Sequence, residues 1–410
     1  MGALAGVRVL DMSRVLAGPW CGQLLADLGA EVIKIERPVH GDDTRGWGPP
    51  YMNDDNGNKT KESSYYMSAN RGKQSVSVNI ASPEGQELIR KLACEVDVLI
   101  ENYKVGDLAK YGLGYDDLAK LNPRLIYCSI TGFGQTGPRA TEPGYDFIIQ
   151  GLGGLMSITG ERDDLPGGGP QKAGVAVADL MTGMYATVGI EAALYSREKT
   201  GKGQYIDVAL LDTQVAMLAN QGMNYLTSNK VPGRYGNAHA NIVPYQVFRA
   251  SDRDFIIACG NDSQFVSLSK AIGLPDLPQD PRFTTNAARV EHRTEIVELL
   301  SKHFLSKTAD EWVAAIYPAK VPVGAINDVG QAMAEPQIEA RGMKVNMPHP
   351  LRTDYTMVGC PLKLSGTPIT YELTPPRLGE HTKDVLKRHL GLSDEKIAEL
   401  ESQGIIELLK

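Results

Sequence analysis

Cysteine is scarce in this chain, five in 410 residues, and Cys21, Cys94, Cys128, Cys259 and Cys360 form neither a C-x-x-C pair nor an even framework. Scattered thiols of this kind read as reduced cysteines of a cytoplasmic protein, not as a disulfide scaffold. Histidine is also sparse, at seven, and no two have metal-ligand spacing, so no metal is expected. The opening "MGALAGVRVLDMS" has no basic start and no long apolar run, and neither a signal peptide nor a membrane span is expected. The patterns H-E-x-x-H, G-x-S-x-G and the P-loop are missing too, which sets aside the chemistries they carry. With a formal net charge of −7, a general nucleic-acid surface is disfavoured, although a local basic cluster can still hold one small anion.

What is present is an ordinary globular composition, 42% apolar and 22% charged, in a chain long enough for two domains. Strand-like and helix-like stretches alternate along the first half. "VRVLDMS" reads as a strand, "GPWCGQLLADLGA" as a helix stopped by Gly29, and "EVIKIERP" as a second strand ended by Pro38. "QSVSVNI", "VDVLIEN", "RLIYCSIT" and "QYIDVAL" add further strands. Such alternation predicts an α/β fold with a Rossmann-like parallel sheet. Turn formers crowd in after Leu226, and shorter strands and helices follow, which predicts a smaller α+β domain. The expected boundaries are a large domain over 1–205, a linker over 206–229, a small domain over 230–329, and a return to the large domain over 330–410.

Strand, glycine turn, helix and then Glu36 suggest a dinucleotide site, but the turn "RVLAGPWCGQ" spaces its glycines G-x-x-x-G. The G-x-G-x-x-G pattern is absent, so the sheet is expected without the nicotinamide cofactor. Asp179 is the one acid in "AGVAVADLMTGMYATVGI". Its simplest role is to cap a helix beginning at Leu180. A carboxylate held there among apolar walls would also be poorly solvated and hence a reactive nucleophile for acyl transfer. Arg14, Arg37, Arg45 and Arg71 stand near predicted strand ends, where open α/β sheets bind their ligands. His239 lies in the glycine-rich "GRYGNAHANIVPYQ", as a structural hydrogen-bonder or a ligand contact.

These stretches, with "GDDTRGWGPP", "SANRGKQSVSVNI", "VLIENYKVGDLAKYGLGYDDL", "SITGFGQTGP" and "RLGEHTKDVL", resemble the family III CoA-transferases of the CaiB/BaiF type. The resemblance spans about Gly6 to Gly404, and is nearest to the branch that pairs succinyl-CoA with a second dicarboxylate. It implies Asp179 as the nucleophile, passing through a mixed anhydride and an aspartyl-CoA thioester, with acyl-CoA as substrate and no tightly bound cofactor. For CoA it implies Val15, Ala17, Arg37, Asn102, Tyr103 and Lys110. Leu16 stands where formyl-CoA transferase has a glutamine, which turns the expectation from oxalate or formate toward another short acid. Two further features of that enzyme, a phosphate-contacting lysine before "GYDF" and a run of four glycines, have no counterpart here. Arg14, Arg45, Arg71 and Arg234 are candidates for the distal anion of a dicarboxylate, with Tyr145 and His239 as further substrate contacts. The family fold implies an interlocked, ring-like homodimer.

Two alternatives share this fold or its ligand. An α-methylacyl-CoA racemase needs acid–base groups on two faces of its substrate, and "PGYDFII" carries Tyr145 where that pattern has histidine. A non-catalytic CoA-binding module would have no use for Asp179.

Overall fold

A computed structural model describes residues 1–409. Two compact units divide the chain: residues 1–155, 173–223 and the stretch from 337 onward form one, and residues 156–172 and 224–336 form the other. In the first unit the strands are β1 (Arg8–Asp11), β2 (Glu31–Glu36), β3 (Lys73–Val78), β4 (Val98–Glu101), β5 (Ile126–Thr131), β6 (Tyr205–Ala209) and β7 (Ile406–Glu407). They make one sheet in the order β7-β3-β2-β1-β4-β5-β6. Every pairing is parallel except that of β7 on β3. This is the doubly wound arrangement, with its switch point between β1 and β4.

Both faces of the sheet are covered, so its strands lack simple alternation of apolar and polar residues. In β2, Ile33 and Ile35 enter one core cluster with Leu88, Ile89 and Leu92 of helix α2 (Pro83–Glu95). Ser82 caps that helix through its hydroxyl, and Pro83 fills the first position, where no amide is needed. Val32 faces the other way, toward Cys21 and Leu25 of α1 (Ala17–Asp27) and Ala186 and Ile190 of α4 (Val177–Thr200). A short helix, α3 (Asp146–Leu152), adds Ile149 to this layer. The helices α1 and α4 pack so closely at Gly183 that a Cβ there would lie 2.6 Å from the Ala17 carbonyl oxygen.

Residues 206–229 differ from the expected linker. They carry most of β6 and the helices Leu210–Ala216 and Ala219–Ser228. Pairing with β5 from Tyr127↔Tyr205 to Thr131↔Ala209 satisfies this backbone within the sheet. The short stretch 156–172 also departs from the expected boundaries by joining the second unit, where Arg234 donates to the carbonyls of Ser157 and Glu161, each at 3.2 Å.

The second unit contains a three-stranded antiparallel sheet, Val323–Ala325, Asp254–Ala258 and Tyr245–Arg249 in that spatial order. Helices Asp262–Ala271, Arg293–Phe304 and Ala309–Ile316 bury Phe265, Phe304 and Trp312 with Phe248 and Phe255. No helix among the described residues is long and apolar enough to cross a membrane.

Two of the arginines considered as ligand contacts are instead part of the interior. Arg45 forms a two-pronged pair with Glu36, at 2.8 Å on each oxygen, and its guanidinium lies 3.6 Å from the centre of the Tyr66 ring. Arg71 grips both oxygens of Asp27 and donates to the Val358 carbonyl at 2.8 Å. Removing either arginine strands a buried carboxylate, which costs about 3–5 kcal/mol. Urea unfolding of Arg45→Met and Arg71→Met is expected to show losses of that order. Gly183→Ala is expected to lower the unfolding free energy by roughly 1–3 kcal/mol through overpacking of α1 on α4, read in the same assay.

Candidate active site

Strand β1 ends at Asp11, and the chain must turn within five residues to start α1 at Ala17. The turn is held in an unusual backbone state. Val15 has φ +71°, in the left-handed region that a β-branched side chain disfavours. Polar groups from three neighbouring segments fix it. Asn102, just past β4, accepts from the Arg14 amide at 2.8 Å and donates to the Arg14 carbonyl at 2.7 Å. Asp42 accepts from the Val15 amide at 3.2 Å. Lys34 of β2 donates to the Ser13 carbonyl at 2.9 Å.

The two glycines of the turn answer the question their spacing raised. A Cβ on Gly18 would lie 2.2 Å from the Ser13 side chain, and one on Gly22 would lie 2.7 Å from Asp11 Oδ2. They make room for buried side chains behind the turn, where Lys73 binds Asp11 at 2.8 Å and also the Pro19 carbonyl and Asn70.

The loops after β1 and β4 meet at the switch point and line a cavity of about 210 Å³. Arg14, Val15, Leu16 and Ala17 form one wall, and Asn102, Tyr103 and Lys104 another. Gly144 and Tyr145 close a third side, where Gly132 and Gly144 approach so closely that a Cβ on either would be 2.6 Å from the other's Cα. Asp179 also lines this cavity.

Asp179 is not the helix cap. The helix α4 begins earlier, at Val177, and its N-cap Ala176 contributes no side-chain bond. Asp146 does the capping across the chain, accepting from the Ala178 amide at 2.8 Å and the Asp179 amide at 3.4 Å. The Asp179 carboxylate is left in the first turn, half-buried, with no hydrogen-bond partner of its own among the described residues. Burial, helped by the nearby Asp146 charge, pushes its pKa up from the usual 3.8 to about 7. A carboxylate so placed is poorly solvated, next to an open cavity and free to react.

A second cavity, of about 440 Å³, shares Arg14 and Tyr103 with the first. Arg37 and Lys110 line it, together with Lys34 and Asn79. Arg37 pairs with Asp43 at 2.7 Å, and Lys110 with Asp107 at 2.7 Å, so both cations sit at the rim with exchangeable surface partners. Arg14 also pairs with Asp43, at 2.9 Å, and its guanidinium stands 5.5 Å from the Tyr103 ring centre.

Ten sequence-selected residues therefore fall around these two linked cavities: Arg14, Val15, Leu16, Ala17, Arg37, Asn102, Tyr103, Lys110, Tyr145 and Asp179. Arg45 and Arg71 are committed to Glu36 and Asp27. Arg234 and His239 belong to the second unit. There Arg234 pairs with Asp163, and His239 accepts from the Asn241 amide at 3.0 Å and lies 5.2 Å from the Tyr245 ring.

Sequence reasoning passed over Asp146, Asp42 and Lys34. Asp146 was visible in "PGYDFII", three residues before a buried isoleucine, as a helix-start acid. Lys34 gave no signal, because a lysine between two isoleucines reads as an outward-facing strand residue.

The family model for CoA-transferase family III matches residues 4–382. Succinate–glutarate CoA-transferase of Agrobacterium fabrum is 49% identical over 383 residues, covering 93% of this chain and 94% of that one. Human succinyl-CoA:glutarate CoA-transferase is 43% identical over 404 residues, covering 98% and 90%. Among solved structures, a CAIB/BAIF family protein from Brucella suis superposes with a TM-score of 0.82 at 47% identity, over 95% of this chain and 100% of that one. The family model and these relatives, matched over most of their length, place the chain among the family III CoA-transferases.

Proposed function

We propose that this enzyme moves CoA from succinyl-CoA to a short dicarboxylate such as glutarate, with Asp179 carrying the acyl group covalently. The observation that carries this reading is the unpartnered Asp179 carboxylate lining the smaller cavity, which shares Arg14 and Tyr103 with the larger one. The larger cavity suits the nucleotide part of CoA, with Arg37 and Lys110 near its phosphates. The smaller suits the acyl group, and its cation Arg14 suits a distal carboxylate. The two activities named for the relatives above share a dicarboxylate acceptor, which supports the choice of glutarate.

The chemistry conserves activated acyl bonds throughout. The Asp179 carboxylate attacks the thioester carbonyl, and the C–S bond breaks to give a mixed anhydride and CoA thiolate. The thiolate then attacks the aspartyl carbonyl, releasing succinate and leaving an aspartyl-CoA thioester. Glutarate attacks that thioester through one carboxylate, forming a second anhydride and freeing the thiolate again. Attack on the glutaryl carbonyl returns Asp179 as a carboxylate and yields glutaryl-CoA. Backbone amides at the head of α1, next to Val15 and Leu16, are the donors available to the tetrahedral oxyanions. No step needs a redox partner, but water must be kept out while the anhydride exists.

The proposed working form is a homodimer. On α4, Met181, Met184, Tyr185, Val188 and Tyr195 are exposed at helical spacing, and Phe147, Ile148 and Leu152 are exposed on α3. An apolar stripe of this extent supports burial against a second copy.

Incubation with succinyl-CoA followed by hydroxylamine is expected to leave a hydroxamate on Asp179, found by peptide mass spectrometry and absent from Asp179→Asn. An unmodified Asp179 in folded protein that still binds succinyl-CoA would sink the covalent route. The pKa near 7 predicts that kcat/KM for succinyl-CoA falls as pH drops below about 7, because the attacking form is the anion. Stability runs the other way. The stabilisation from holding the proton is fully present below 3.8 and is lost as pH rises through about 7. Asp179→Asn should therefore melt above the native enzyme at pH 8, with the gap closing toward pH 5.

A further inference from the structure

We propose that Lys34 and Asp42 are positioning residues for the transfer reaction, acting as a buried clamp that holds Val15 in its left-handed conformation and so aims the Val15–Ala17 backbone into the Asp179 cavity. The inference rests on the functional reading above, and deepens it by naming two residues at the wall of the larger cavity whose side chains are closed to solvent and turned toward the Val15 turn.

Lys34 and Asp42 are fully buried and pair at 3.0 Å. From that one pair, bonds run to the backbone that leads into the strained residue: Lys34 to the Ser13 carbonyl, Asp42 to the Val15 amide. Asp42 is itself fixed by the Thr44 amide at 3.0 Å and the Thr44 hydroxyl at 2.8 Å, while its own amide donates to Glu36 at 2.9 Å. A buried ion pair is a costly way to gain stability, since apolar residues of similar volume serve as well or better. Its location explains the choice. A valine at φ +71° drifts back to the ordinary β or α regions unless its neighbours over-determine it. Relaxation at Val15 would turn the amides of Leu16 and Ala17 away from the cavity that both residues line.

This makes a specific prediction about Val15→Gly. Glycine adopts positive φ without steric penalty, so a glycine there needs the clamp less. Asp42→Asn is expected to lower kcat/KM for succinyl-CoA by about ten-fold or more in the native background, the kinetic scale of an unsupported strained residue. In the Val15→Gly background the same change is expected to cost about three-fold or less. Amide hydrogen exchange supplies a readout independent of activity: the Ser13–Trp20 peptide should exchange about ten-fold faster in Asp42→Asn, with protection recovered in the double variant. Equal losses in the two backgrounds, or unchanged exchange of that peptide, would overturn the clamp. Should Asp42→Asn not fold, Thr44→Val removes only the hydroxyl that aligns Asp42, and the same comparison between backgrounds decides. If the native enzyme shows no acyl exchange, the functional reading fails by itself, and the exchange data still decide whether the clamp exists.

Discussion

Two buried lysines anchor the turn on which the site is built. Lys34 on β2 and Lys73 on β3, two positions out of register on adjacent strands, are each fully buried and each paired with a buried carboxylate, Asp42 and Asp11. Each also donates to a backbone carbonyl nearby, Ser13 within the turn and Pro19 in the first turn of α1. Carbonyls that the turn would otherwise leave without partners are thereby satisfied by charged donors, the stronger kind of hydrogen bond. The two lysines are not equivalent. Burial, opposed by Asp11, brings Lys73 down to about 8, whereas the surrounding acids Asp42, Asp11 and Glu36 outweigh burial at Lys34 and raise it. The position with more counter-charge is the one beneath strained Val15.

The fold was largely legible because it follows from pattern. All four later strands read from the sequence fall in the main sheet as β3 to β6, and the stop at Gly29 coincides with a φ of +101° just after α1. What was not legible depends on pairing between distant segments. The edge strand β7 is only Ile406–Glu407, too short to carry periodicity, and exists because β3 offers it Val78 and Ser77. Likewise, nothing local says that 156–172 folds with the second unit. That follows from Arg234 reaching back more than seventy residues to the Ser157 and Glu161 carbonyls.

The site shows the same division. Residues within one loop were readable from motif, and Arg14 to Ala17, Asn102 and Tyr103 do converge. Roles that depend on who stands opposite were not. Arg45 and Arg71 look like anion binders in a list of strand-end arginines, yet Glu36 and Asp27 occupy them in bidentate geometry. Asp179 reads from the sequence both as a cap, because aspartate at a helix start usually is one, and as a poorly solvated nucleophile. Asp146 has the capping job, from a separate helix, and this frees Asp179.

That substitution of roles bears directly on reactivity. Had Asp179 been the cap, two or three amide bonds would have held its charge and lowered its pKa, stabilising the ground-state anion. With Asp146 taking the amides, the helix N-terminus is satisfied by one carboxylate and a second is left beside it with burial and like charge against it. The anion that does form is high in energy and unshielded by hydrogen bonds. Bond formation with a carbonyl carbon removes its charge and so relieves both penalties at once. A pair of aspartates thirty-three residues apart, one satisfied and one deprived, is thus the physical basis on which the nucleophilic role proposed for Asp179 rests.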